Sequence, residues 1–175
     1  INGAERVIEA WIAYWLHGRT SDYRKASELL KQLPAGSPGR RRLESEVESE
    51  RALFHFRRGE LIAAITSADL ARAQGLDDPR AHYELGQIYL DAGRYEDAVV
   101  CFRSASDALS TRQAYRDAVA RALALQAHAD LRRQREDRAR DAMRAALEAK
   151  PRVIDAGGVP LRGELERLAA ASDED

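Results

Sequence analysis

Residues 45–78 laid over residues 79–112, an offset of 34, place like upon like at seven slots. Ala52 falls on Gly86, His55 on Tyr89, Gly59 on Gly93 and Leu61 on Tyr95; Ala64, Ala68 and Ala71 fall on Ala98, Phe102 and Ala105. A period of this length constrains the fold strongly, because one copy is too small to bury its own apolar face and only stacked copies share a core. Each copy reads as a helix of about 14 residues, a turn at the glycine and a second helix with apolar positions at spacings of three and four. Composition agrees with helix: alanine and arginine dominate, prolines number 5 and glycines 11.

The run Leu85-Gly86-x-x-Tyr89, then Gly93-x-Tyr95-x-x-Ala98-x-x-x-Phe102-x-x-Ala105, resembles the tetratricopeptide repeat. His82 stands where that family often has tryptophan and Ser110 where it often has proline, while residues 45–78 carry Arg51-Ala52 in place of Leu-Gly. Tyr23-x-x-Ala26-x-x-x-Leu30-x-x-Leu33 and Ala139-x-x-x-Met143-x-x-Ala146 repeat the second-helix pattern. The last copy comes 41 residues after its predecessor, so its first helix, about 113–133, should be longer than the others. The expected fold is all-α: a single domain forming a right-handed superhelical array of antiparallel helical hairpins at 5–34, 43–75, 79–110 and 112–150. Beyond the break at Gly157-Gly158-Val159-Pro160, residues 161–170 carry a capping-helix pattern at Leu161, Leu165 and Leu168.

The chemistry of an enzyme is absent from this pattern. His17, His55, His82 and His128 fall in different copies with no i,i+4 pair, and Cys101, the single cysteine, has no histidine near it in sequence. No glycine-rich phosphate loop occurs, and nothing in the spacing pairs two carboxylates for acid–base work. No catalytic residue, metal or cofactor is therefore expected. Net charge is −1, from 28 basic and 29 acidic residues, which disfavours nucleic acid as a partner. The richest basic zone, Arg132, Arg133, Arg135, Arg138, Arg140 and Arg144, is interrupted by Glu136, Asp137 and Asp141 and reads as an ion-paired solvated face. Glu44, Glu46, Glu48 and Glu50, which follow the turn cluster Pro34–Gly39 and Arg40-Arg41-Arg42, read as a solvated helix start.

In the family that the chain resembles, first helices line a groove, and the resemblance implies a protein or peptide partner there. The groove positions it implies are Trp11 and Trp15, then Ser49, Leu53 and Phe56, then Tyr83, Gln87 and Leu90, with Leu125 and His128 last. Trp11, Trp15 and Phe56 are either groove anchors or plain core, or they cover an adjoining domain. Some members clamp a peptide's terminal carboxylate with basic and amide side chains, but the matching slots here hold Ser49, Leu53, Glu84, Arg121 and Leu125. With Arg121 as the one suitable charge, a partner segment with apolar anchors fits better. Arg121 and His128 would then meet an acidic part of it.

The function implied is that of an adaptor or chaperone-like interaction module, by analogy with bacterial assembly and secretion adaptors. The alternative is a structural or regulatory segment of a longer protein, which the start at Ile1 favours. The chain contains no apolar run of 18 residues and no signal-peptide pattern, so no membrane span is expected and the reading leans to the cytoplasm. The periplasm stays open if a leader or anchor was removed.

Overall fold

The computed structural model describes residues 3–18, 22–37 and 39–149. Eight helices, and no strand, occur among them: α1 (Gly3–His17), α2 (Tyr23–Leu30), α3 (Arg40–Arg57), α4 (Leu61–Ala73), α5 (Pro79–Asp91), α6 (Tyr95–Ala108), α7 (Gln113–Arg132) and α8 (Glu136–Glu148). The expected long helix at 113–133 is α7, with 20 residues against 13 in α5. The capping helix expected at 161–170 lies outside the described residues. The chain divides into two compact units after Ile88.

In the first unit α1 packs on α2, α2 on α3 and α3 on α4. Asp22 starts α2 by accepting the backbone N–H groups of Arg24 and Lys25 at 3.1 and 3.3 Å. Asp78 starts α5 in the same way, accepting from Arg80 N at 2.8 Å, with Pro79 in the first helical position where a missing N–H costs nothing. Ile12, Leu16, Ala26, Leu30, Leu33, Leu43 and Val47 form one buried cluster, with Ile8, Trp15 and Leu29 packed against it. Along α3 and α4 the fully buried residues are small, Ala52, Ala64, Ala68 and Ala71, which lets the two backbones approach closely.

The second unit packs α6 on α7 and α7 on α8. Its core repeats the small-residue theme: Ala98 and Ala105 flank Phe102 on α6, Ala120, Ala124 and Ala127 lie on α7, and Ala139 and Ala146 bracket Met143 on α8. Cys101 is fully buried in that core.

One turn is built three times between successive helices, after α3, α5 and α7. The end of α4 closes in the same way, with the Leu76 N–H on the Ala71 carbonyl at 3.3 Å and Gly75 at φ 85°. The carbonyls of His55, Tyr89 and Asp130 each accept the N–H five residues on, from Glu60, Arg94 and Arg135, at 3.0, 2.9 and 2.9 Å. That bond is the long-range bond of a Schellman end, which needs a left-handed residue just before the donor. Gly59 and Gly93 supply it at φ 75° and 71°, and Gln134 supplies it at 57° in the copy that has no glycine. The side chains at the two ends of each of the three turns also meet, with different chemistry each time. His55 Nδ1 lies 2.6 Å from Glu60 Oε2; the Arg94 guanidinium stacks 4.9 Å from the Tyr89 ring centre; Arg135 Nη2 donates to Asp130 Oδ1 at 2.5 Å.

Candidate functional site

In the first unit, the end of α1, one stripe of α3 and the first turns of α5 enclose a cleft of about 240 Å³. The α3 stripe is Glu46, Ser49, Glu50, Leu53 and Arg57, residues three or four apart and therefore on one face. Facing it are Leu16 and His17 from α1 and Asp78, Arg80, Ala81 and Glu84 from the start of α5. Leu16 and Leu53 give the cleft an apolar floor. Four carboxylates against two guanidinium groups make its walls acidic.

Those charges are unevenly satisfied. Glu46 lies 3.4 Å from His17 Nε2 and 3.0 Å from Arg42 Nε, and Glu84 accepts from Arg80 Nε at 3.1 Å. That hydrogen bond holds the Arg80 guanidinium more firmly protonated than usual. Glu50 is treated differently: burial, and then the charge of Glu84, push its carboxyl above the ordinary value of 4.5, against a weaker pull from Arg57, His17 and Arg80. Among the described residues it forms no hydrogen bond or ion pair.

Of the positions implied by the sequence, Ser49, Leu53 and Glu84 come together in this cleft. Leu53 is only 7% exposed, so it belongs to the floor instead of standing out as an anchor. Phe56, Tyr83 and Gln87 are half-buried and do not line the cleft. Trp15 is half-buried, packed on the core with Lys25 Nζ 4.0 Å from its ring centre. Trp11 and Tyr14 are the outward pair of α1, 51% and 59% exposed and stacked edge to face at 5.7 Å. In the second unit Leu90 is 7% exposed, a core residue where an open groove position was expected, while Arg121 is exposed and Leu125 and His128 are half-buried on α7.

Sequence reasoning missed His17, Glu46, Glu50, Asp78 and Arg80. A signal for two of them existed. Glu46 and Glu50 are like charges at i,i+4, which a helix tolerates at a cost unless something cationic comes to that face. In the basic zone of the second unit Arg140 lies 3.8 Å from Glu136, the kind of local pair expected, while Arg135 binds Asp130 and Arg138 binds Glu96. Among the described residues no three histidine, cysteine, aspartate or glutamate side chains converge as metal ligands would. No described helix is long and apolar enough to cross a membrane.

Residues 79–107, from the start of α5 into α6, match the family model of the tetratricopeptide repeat. The chain thus carries a repeat of that type. No curated protein matches it. Among solved structures, MamA AMB-1 is similar at 20% identity and a TM-score of 0.45, over 97% of this chain and 86% of that one. MamA MSR-1 is similar at 20% identity and a TM-score of 0.44, over 99% and 87%. A MamA mutant gives 21% identity and 0.45, over 99% and 89%.

Proposed function

We propose that the chain is a protein-interaction module, adaptor or chaperone-like in role, that takes a segment of a partner protein in the cleft of its first unit. The observation that carries this reading is that α1, α3 and α5, alternate helices in the chain order, converge on one concavity with an apolar floor and polar walls. Recognition sites are built this way, with a few polar groups fixing orientation above a non-polar contact. The alternative, a regulatory segment of a longer protein, draws support from the exposed Val7, Trp11 and Tyr14 on α1, since large apolar side chains in a row suit a covering domain.

The test is to recover partners from the native organism by affinity capture and titrate the recovered protein against wild type and an Ala81→Trp variant, whose indole fills the cleft. Affinity should fall about tenfold or more, with the fold checked by a thermal melt. Unchanged affinity in a folded variant places the partner's surface elsewhere.

A further inference from the structure

We infer that the cleft receives a basic side chain, arginine or lysine, of that partner segment, with the cation against Glu50 and Glu84 and its aliphatic stem on Leu16 and Leu53. This rests on the cleft being the partner site, as proposed above, and it adds the chemistry of what enters. Three observations lead to it.

The first is the sign of the walls. Glu46, Glu50, Asp78 and Glu84 outnumber Arg57 and Arg80. Arg57 is exposed and pulls on Glu50 without forming an ion pair among the described residues, and the other cations are engaged. Arg80 is committed to Glu84 with its side chain 80% exposed, and His17 is committed to Glu46. Asp78 spends an oxygen on the first turn of α5. Glu50 is the carboxylate left without a counter-charge at bonding distance, and a guanidinium or ammonium group beside it would offset both its lost hydration and its repulsion by Glu84.

The second observation is independent of charge. Ser49 is 3% exposed, lines the cleft from the middle of the α3 stripe, and its hydroxyl makes no hydrogen bond among the described residues. The hydroxyl opens onto the cleft, and its oxygen is an acceptor for an incoming N–H. The third is the floor. Leu16 and Leu53 offer the apolar contact along which an arginine or lysine stem lies when its charged end is held elsewhere. A metal ion fits poorly, since these carboxylates do not converge as ligands. A peptide's terminal carboxylate is opposed by the same walls.

The test uses the full chain and a capped nonapeptide, acetylated and amidated, with two arginines among leucines and alanines. Its control replaces both arginines by citrulline, which keeps the shape and removes the charge. Titration calorimetry at low ionic strength should show the arginine peptide binding about tenfold more tightly than the citrulline peptide. In the isosteric double variant Glu50→Gln, Glu84→Gln that gap should close to about twofold or less. Ala81→Trp should weaken both peptides. A gap that persists in the double variant, the absence of a gap in wild type, or no binding of the arginine peptide overturns the inference. Loss of both peptides in Ala81→Trp without any charge gap leaves the cleft as the site and rejects the cation. Binding indifferent to Ala81→Trp rejects the cleft itself.

Discussion

Glu50 and Glu60 stand ten residues apart in the first unit and meet opposite surroundings. Glu60, at the turn after α3, is hydrogen-bonded by Arg58 and then by His55, and both hold its carboxyl below the ordinary value of 4.5. Glu50, on the cleft face of α3, is pushed the other way by burial and by Glu84. Each of the three turns brings the side chains at its ends into contact; the cleft leaves Glu50 without a counter-charge at bonding distance. Stability has been optimised in the first region and given up in the second, which is how a surface kept for something else differs from one that only holds the chain together.

The comparison is broken most easily at the turns. Tyr89 is fully buried, accepts at its carbonyl the N–H that closes its turn and stacks on Arg94. Tyr89→Ala should cost about 3–5 kcal/mol by leaving a cavity, measured by denaturant titration. A loss below about 1 kcal/mol would mean that the turn stands without its anchor.

A smaller change sharpens the same side. Gln134 holds the left-handed conformation that glycine holds in the other two copies. Gln134→Gly should therefore stabilise the chain by up to about 1 kcal/mol, an exception to the usual cost of adding glycine. Destabilisation in the same titration would show that the Gln134 side chain contributes more than its backbone strain removes.

The smallest effects are the most discriminating, because they differ in sign. A carboxyl lowered in the folded state stabilises above 4.5, and that stability is lost as pH falls through the folded value. Glu60→Gln should thus melt below wild type at pH 7, with the difference vanishing in acid. A raised carboxyl favours the folded state at low pH, and that contribution is lost as pH rises through its folded value. Glu50→Gln should melt at or above wild type at pH 7, the two converging below 4.5. Melts of the two variants that move in the same direction would erase the distinction between turn and cleft.

The 34-residue offset made the hairpins and the first two turns legible, since Gly59 and Gly93 mark where the backbone reverses. The long α7 followed from the spacing alone. The third turn was less legible because Gln134 carries no glycine signature, and Asp130, 2% exposed, occupies a slot where the other copies have rings. At the site, Ser49, Leu53 and Glu84 were placed on the groove by resemblance, but resemblance could not give their burial. Leu53 and Leu90 have the same hydropathy whether they face solvent or core; neighbouring helices decide. Glu46 and Glu50 were hidden by their own run, in which four alternating glutamates read as a solvated helix start. Helix geometry nevertheless sets Glu46 and Glu50 on one face and Glu44 and Glu48 on another, and α1 and α5 close over the first pair.

The extra seven residues of α7 bear on how such a chain can change its length. His55 and Tyr89 are 34 apart and Tyr89 and Asp130 are 41 apart, yet both turns close alike. Seven residues rotate an α-helix to within about 20° of two full turns, so the stretch beyond the insertion presents nearly the side it would have shown without it. Four or five added residues would instead swing the far end, and the whole Asp130–Arg135 turn with it, by about 40° or 140° from the side it now shows. Growth in this molecule is quantised, like thread on a screw: whole pairs of turns can be added while the nut still seats.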